Sequence, residues 1–429
     1  MKQIRCKKGI LLLLIVMTTI LTAGSFSIDF KVKGYNMEEH KYPAALVYED
    51  HAPISIDGNS DFLNQASIEG WSGNGSINNP ITITGYRIAA TGMECIKLSN
   101  IDCHWVISDC LIEGGAPYSY GMHFINATNG VVSNNIIRDR DIAIQISLKS
   151  CNCVFTGNQI YDNVHNAIKV LNGMANCVIS GNYMNNNSAN NIWIAGGFNS
   201  SNIIDNVIIG GDNGIRVNIP IDCIIRNNTI SESQLDSIVV PVASNTSICE
   251  NTVINPTGMG IMSSGHFLVI ESNTVDNSTT NGLYLSSGNN CTIKNNRAMN
   301  CIDYALVLGA STADATVSEN VFIDNNEGGC QVKDDGDENV FCYNHYNDWI
   351  APDEDSDNIV DEPYSIDGNA ENTDPYPLVD PDVGIPVTTM SSITTTTTAS
   401  SGTLNLILYT AIGAMVVLVT IAAILIKRK

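Results

Sequence analysis

The chain has 429 residues, 44% hydrophobic and 15% charged, with a formal net charge of −23. Such acidity argues against nucleic acid as a partner and suits a surface facing salt or divalent cations. Thirteen cysteines would suggest a disulfide framework, but their positions along the chain point elsewhere.

Residues 1–25 begin with Lys2, Arg5, Lys7 and Lys8, continue through an apolar run over residues 10–21, and end in Thr22-Ala23-Gly24-Ser25. That layout predicts a secretory signal peptide. Residues 26–79 show no repeat. Ile54-Ser55-Ile56 and Gly70-Trp71 within them read as a cap that covers an otherwise open strand edge at residue 80.

From residue 80 to 346 the chain repeats a short strand-like motif. Anchors fall at Tyr86, Cys110, Asn135, Asn158, Asn182, Asn206, Asn228, Asn251, Asn273, Asn296, Asn320 and Asn344, with gaps of 22 to 25 residues. Apolar, mostly β-branched residues stand three before and two after each anchor, as at Ile179 and Met184. Period-two apolar positions broken by Asn, Gly and Ser are strand-and-turn chemistry. A period of this size marks a solenoid, whose repeats bury their apolar faces only by stacking. The expected fold is all-β: a single-stranded right-handed parallel β-helix of about 12 coils. Each coil has three short strands and rises roughly 4.8 Å. The anchor amides should bond one another along the axis, so that Asn158, Asn182 and Asn206 are vertical neighbours.

Cys153, Cys177, Cys223 and Cys291 lie five residues before an anchor, on the inward side, and read as small core-filling residues. Cys153 and Cys177 sit on adjacent coils, within reach of a disulfide if the side-chain angle permits.

The third strand of each coil offers a surface. Inward pairs such as Ile144/Ile146 and Ile192/Ile194 force the residue between them outward. The outward residues run Lys97, His123, Gln145, Lys169, Trp193, Arg216, Val239, Met262, Tyr284, Val307 and Gln331. Small residues such as Gly121, Ala143, Ala167 and Gly214 precede the inward pairs and are expected to leave that flank shallow. Lys97, His123, Gln145, Lys169, Trp193 and Arg216 form the candidate ligand-binding face. Aromatic faces stack on sugar rings and cations meet carboxylate or sulfate groups, so an acidic glycan fits this row. The alternative is a solvated sheet face on which long side chains cover apolar surface. The row holds no Asp or Glu for glycoside chemistry, and the residues beside it, Arg138-Asp139-Arg140-Asp141 and Asp212, read as ion pairs and turn acids. No catalytic residue is assigned.

Residues 347–385 turn acidic and proline-rich. Asp353, Asp355 and Asp357 at positions 1, 3 and 5, the Ile359 carbonyl at 7 and Asp361 at 9 match the oxygen set of a calcium loop. Asn358 takes the sharp-turn position, where it tolerates the left-handed conformation. The alternative is a solvated acidic linker. Residues 386–403 are Thr/Ser-rich and read as an extended stalk. Residues 404–426 are long and apolar enough for a transmembrane helix, and Lys427-Arg428-Lys429 would place the tail (427–429) in the cytoplasm. The expectation is a single-pass cell-membrane protein with the β-helix extracellular. Eight sequons, including Asn126, Asn186 and Asn227, are compatible with a glycoprotein there.

The Asn-anchored coils, the opening Gly70-Trp71-Ser72-Gly73-Asn74-Gly75 with Asn79-Pro80-Ile81, and the closing Tyr346-Asn347-Asp348-Trp349 and Tyr376-Pro377-Leu378 resemble one known group. They are similar to the NosD-like right-handed parallel β-helix repeat family, within the pectate-lyase-like superfamily, over roughly residues 50–380. The resemblance implies the fold, and for function an accessory role in copper-site assembly. A copper role does not carry over residue by residue, because His104, His123, His165, His266 and His345 are scattered. Taken together, the sequence points to a membrane-anchored surface module that binds glycans or neighbouring surface proteins. Alternatives are a polysaccharide lyase or glycoside hydrolase, and a NosD-like copper accessory protein.

Overall fold

The computed structural model describes residues 47–115, 119–148 and 150–383. The predicted signal peptide, stalk, transmembrane segment and cytoplasmic tail lie outside the described residues. Among the described residues no helix is long and apolar enough to cross a membrane. The solenoid lies within residues 48–383.

Strands of three residues recur because each coil must turn three corners within its short repeat. In one coil Val178–Ser180 is followed by Tyr183–Asn185 and Ile192–Asn199, and Asn202–Ile204 opens the next. Corresponding strands stack in parallel into three sheets of 12, 13 and 14 strands. Partners are one repeat apart, as in Phe155↔Ile179 and Ile179↔Ile203. The right-handed solenoid makes about 11 turns. That is one fewer than the anchors suggest, since twelve stacked strands in the first sheet are separated by eleven circuits.

Left-handed backbone residues turn the corners: Asn134, Asp139 and Asn152 in one coil, Asp205, Gly210 and Asp222 in another. Asn and Asp tolerate this conformation because their short polar side chains bond locally. Here they also bond along the axis, Asn186 Nδ2 to Asp162 Oδ1 at 2.6 Å and Asn227 Nδ2 to Asp205 Oδ1 at 2.7 Å. Much of the chain's Asn and Asp content is thus corner chemistry on the outside of the coils.

Inside, the anchors form the expected ladder. Asn158 donates Nδ2 to Asn182 Oδ1 at 2.9 Å and Asn182 does the same to Asn206 at 2.9 Å. Each Oδ1 also accepts the backbone N–H of the preceding anchor, and each Nδ2 reaches a strand carbonyl such as Phe155 O at 3.0 Å. The amides are therefore fully bonded although buried. The ladder opens at the Cys110 backbone N–H, which donates to Asn135 Oδ1, and closes on Asp374.

Isoleucine and valine fill the rest of the core, with Ile179, Ile203, Ile225 and Ile248 all at 0% exposure. The predicted core cysteines Cys153, Cys177, Cys223 and Cys291 are buried, and all are free thiols. Cys153 and Cys177 are not bridged: the Cys153 N–H donates to Cys177 Sγ at 3.3 Å. Burial pushes the Cys223 thiol up to about 11.

Two strands ahead of residue 80 already belong to the solenoid: Glu49–Asp50 pairs with Tyr86–Ala89, and Ile54–Asp57 with Ile96–Ile101. The helix Asn59–Glu69 follows them, burying Phe62 and Ala66, and Phe62 meets Trp71 edge-on at 6.2 Å. At the other end the acidic segment folds back on the last coils. Tyr364 stacks on Tyr346 at 3.7 Å, and the Asp334 N–H donates to Asp367 O.

Candidate functional site

The third sheet holds the outward row in register. Lys97 pairs with His123, His123 with Gln145, Gln145 with Lys169, Lys169 with Trp193, and Trp193 with Arg216. The row continues through Val239, Met262, Tyr284 and Val307. Its last member is Lys333, which pairs with Val307; Gln331 is a correction to the sequence reading. Gln331 lies at a corner, where it accepts the Asn325 amide and donates to Asn347. An inserted Glu327-Gly328-Gly329 turn delays the last strand by two residues, which displaces the count. The small residues before the inward pairs also have another cause. A Cβ at Gly214 would come within 2.5 Å of the Ile230 methyl, and Ala143 and Ala167 are buried. They make room in the core and do not leave a shallow outer flank.

Two clusters differ in character along the row. Lys169 Nζ lies 4.7 Å from the centroid of the Trp193 ring, a cation–π arrangement, and Arg216 stands one coil beyond. Trp193 and Arg216 are half-buried. The Trp193 indole N–H is itself sequestered and has no hydrogen-bond partner, an uncommon state for a buried donor.

Nearer the amino end the row is tightly bonded. His123 Nε2 lies 2.7 Å from Ser147 Oγ, and His123 Nδ1 lies 3.2 Å from Glu94 Oε1. Gln145, 1% exposed, places Nε2 at 3.4 Å from both Ser147 Oγ and Ile146 O. Tyr120 meets the imidazole edge-on at 4.8 Å. Burial lowers the His123 pKa and outweighs the pull of Glu94, which favours the neutral ring. Burial pushes Glu94 up, but its backbone N–H and His123 more than offset this and leave it below the usual range. Glu94 and Ser147 escaped the sequence reading. Ser147 shares the outward parity of Gln145 two residues earlier, a signal that was present; Glu94 sits in an irregular turn, where periodicity gives none.

Beside the row, Arg138 bonds Glu113 at 2.7 Å and Arg87 bonds the same carboxylate at 2.6 Å. Arg138 also pairs with its neighbour Asp139 at 3.7 Å, as the Arg–Asp alternation suggests, whereas Arg140 makes no ion pair among the described residues. Its buried guanidinium donates instead to the carbonyls of Met93 and Tyr120, at 2.6 and 3.0 Å, and to those of Ala90 and Gly114.

Residues 198–370 match the family model described as periplasmic copper-binding protein (NosD), and residues 52–208 match the right-handed β-helix region. Over these stretches the chain is similar to NosD and to right-handed β-helix repeat proteins. No curated protein matches it. Among solved structures it resembles the Dettilon tailspike protein at 14% identity, with 69% of this chain and 66% of that one covered and a TM-score of 0.47. The catalytic unit of an α-1,3-glucanase from Streptomyces thermodiastaticus gives 12% identity, coverage of 68% and 66%, and a TM-score of 0.42. The A-module of an Azotobacter vinelandii mannuronan C-5 epimerase gives 12%, coverage of 68% and 90%, and 0.40. The chain thus spans just under two thirds of the tailspike and the glucanase.

Among the described residues the histidines do not converge. His165 Nδ1 lies 2.6 Å from Asp141, and His345 Nδ1 lies 3.0 Å from Leu378 O. Among the described residues the one group of three His, Cys, Asp or Glu ligands able to hold an ion is Asp353, Asp355 and Asp357, with ligand oxygens within 4.8 Å of one another. Asn358 has the left-handed backbone expected of it, with φ 71°. Asp361 accepts the Glu354 N–H at 2.7 Å, and the Ile359 N–H donates to Asp357 at 2.9 Å.

Proposed function

We propose that this NosD-like solenoid is a surface-displayed module that binds acidic glycans along the outer face of its third sheet. The observation that carries the reading is the Lys169–Trp193 pair, with Arg216 in register beside it and an unbonded indole N–H in the same row. An aromatic face flanked by two cations, in a chain of net charge −23, is a local inversion of sign that an anionic sugar would recognise. The signal-like residues 1–25, the Thr/Ser stretch and the apolar residues 404–426 with their basic tail support display from a cell membrane. Ca²⁺ at Asp353, Asp355 and Asp357 would then close the carboxyl-terminal end of the solenoid.

A glycan array probed with the full-length protein tests the reading. Anionic oligosaccharides should bind, binding should weaken with salt, and Trp193→Ala should reduce it at least about tenfold. Absence of any bound glycan would remove the proposal. The family match over residues 198–370 favours a second reading, an accessory role in copper-site assembly. Tight stoichiometric copper uptake in a titration would put that reading first.

A further inference from the structure

We propose that Ser147, His123 and Glu94 form a nucleophile–base–carboxylate triad that hydrolyses O-acyl esters. The geometry meets the requirements one by one. A serine hydroxyl is a poor nucleophile until a neighbouring base takes its proton. His123 Nε2 stands 2.7 Å from Ser147 Oγ, within direct transfer distance. The base must be held in one tautomer, and Glu94 Oε1 at 3.2 Å from Nδ1 keeps the ring proton on that side. Burial keeps the imidazole neutral, so that its Nε2 lone pair is available. Charge developing on the ester oxygen needs a donor nearby. Gln145 Nε2 is 3.4 Å from Ser147 Oγ, and its two contacts are both long enough to be exchanged for a stronger one.

Three strands of one parallel sheet place these groups. His123 lies in Tyr120–Ala127 and Gln145 in Ile142–Ile146; Ser147 follows that strand directly, and Glu94 precedes Ile96–Ile101. The strand positions of His123 and Gln145 are more rigid than a free loop, as a preorganised site requires. Ser147 is half-buried, exposed enough for an ester to approach.

In the first step Ser147 Oγ bonds to the acyl carbon while its proton moves to His123 Nε2. The bond from that carbon to the alcohol oxygen then breaks as His123 returns the proton to the leaving oxygen. Water, deprotonated by His123, attacks the acyl-serine; a carboxylic acid leaves and Ser147 regains its proton. No further co-reactant is required. The cationic and aromatic row begins one coil away, at Lys169. Resting on the glycan reading, the substrate class is therefore an O-acylated acidic polysaccharide, with the acyl-bearing sugar over Ser147 and its neighbours over Trp193 and Arg216.

Two assays separate the claims. The full-length protein is treated with a fluorophosphonate probe and mapped by mass spectrometry, and hydrolysis of p-nitrophenyl acetate is followed across pH. One adduct on Ser147 is expected. Ser147→Ala should abolish both signals, and His123→Gln should lower them at least about 100-fold with the melting curve retained. Glu94 acts through His123 as a positioning residue; Glu94→Gln should lower the rate and also displace the acidic limb of the pH profile, where His123 gains its proton, which a purely structural role would leave in place. Absence of labelling at Ser147 in folded wild-type protein, or undiminished labelling in His123→Gln, overturns the triad. Acetate release from an O-acetylated polyuronate tests the substrate class. Labelling with a blank glycan array would sustain the triad and remove the glycan.

Discussion

Asp374 accepts two hydrogen bonds from Asn344, from the backbone N–H at 3.0 Å and from the side-chain amide at 2.9 Å. These are the bonds that each ladder asparagine accepts from the one before it, so Asp374 occupies the eleventh position of a ten-amide column. Its other oxygen accepts the Tyr376 N–H at 3.0 Å. A terminal residue has no next coil to receive a donated proton, and only an acceptor at both ends satisfies it. Asp374→Asn would set an N–H against an N–H in either amide orientation. It should cost about 1–3 kcal/mol in chemical denaturation despite removing a buried charge. A variant as stable as wild type would show that the column does not need its carboxylate.

Gly130 is required by Trp105 one coil earlier. A Cβ there would lie 2.0 Å from the Trp105 ring, which fills the space between Ile81 and Gly130 in the same column. The ring also donates its indole N–H to Thr128 O at 2.9 Å, so it cannot swing away cheaply. Gly130→Ala should lower stability by about 1–3 kcal/mol as an overpacked core does. Adding Trp105→Leu should recover part of that loss, and strict additivity in the thermal melts would contradict the packing account.

The anchor column and the outward row were legible because both are written at a fixed period, and a period-two strand leaves only two directions for a side chain. Asn182 and Lys169 follow from counting alone. What broke the count was inserted chain. The helix Asn59–Glu69 hides a solenoid start that Ile54–Asp57 already makes, and the turn before Gln331 shifts the last strand so that Lys333 takes the outward place. Glu94 and Arg140 were illegible for a different reason. Their roles depend on which coils their side chains reach, and Arg140 extends to the Ala90 carbonyl, 50 residues back. Asp374 looked like part of a proline-rich tail, and nothing local marks it as the end of the amide column.

Acid should weaken the solenoid through Glu113. Burial alone would raise its carboxyl, but Arg138 and Arg87 more than offset this and hold it below the usual range. A carboxylate whose folded pKa is depressed contributes stability above its unfolded value near 4.3, and loses it as pH falls through the folded value. Glu113→Gln should therefore lower stability at neutral pH by about 1 kcal/mol, discounted because both arginines are partly exposed. The difference from wild type should vanish in strong acid. Burial raises Asp374 instead, so its contribution has the opposite sign: it is greatest below the unfolded value and falls as pH rises through the folded one. A pH-stability curve of Glu113→Gln parallel to wild type would refute the assignment.

Removing divalent cations should loosen the carboxyl-terminal end if Asp353, Asp355 and Asp357 hold calcium. Three carboxylates with oxygens within 4.8 Å repel one another, and a hard dication relieves that repulsion while supplying cross-links between turns of the loop. The loop is tied to the last coil where Ile359 bridges Leu378 and Leu378 bridges His345. Ion binding there should raise the melting temperature by linkage, by an amount that grows with free calcium. EDTA should lower the wild-type melt, added Ca²⁺ should restore it, and Asp355→Ala should melt at one temperature in both conditions. A wild-type melt indifferent to EDTA would leave the loop as a solvated acidic turn, held by hydrogen bonds such as those from the Asp357 N–H to Asp353 and Asp355.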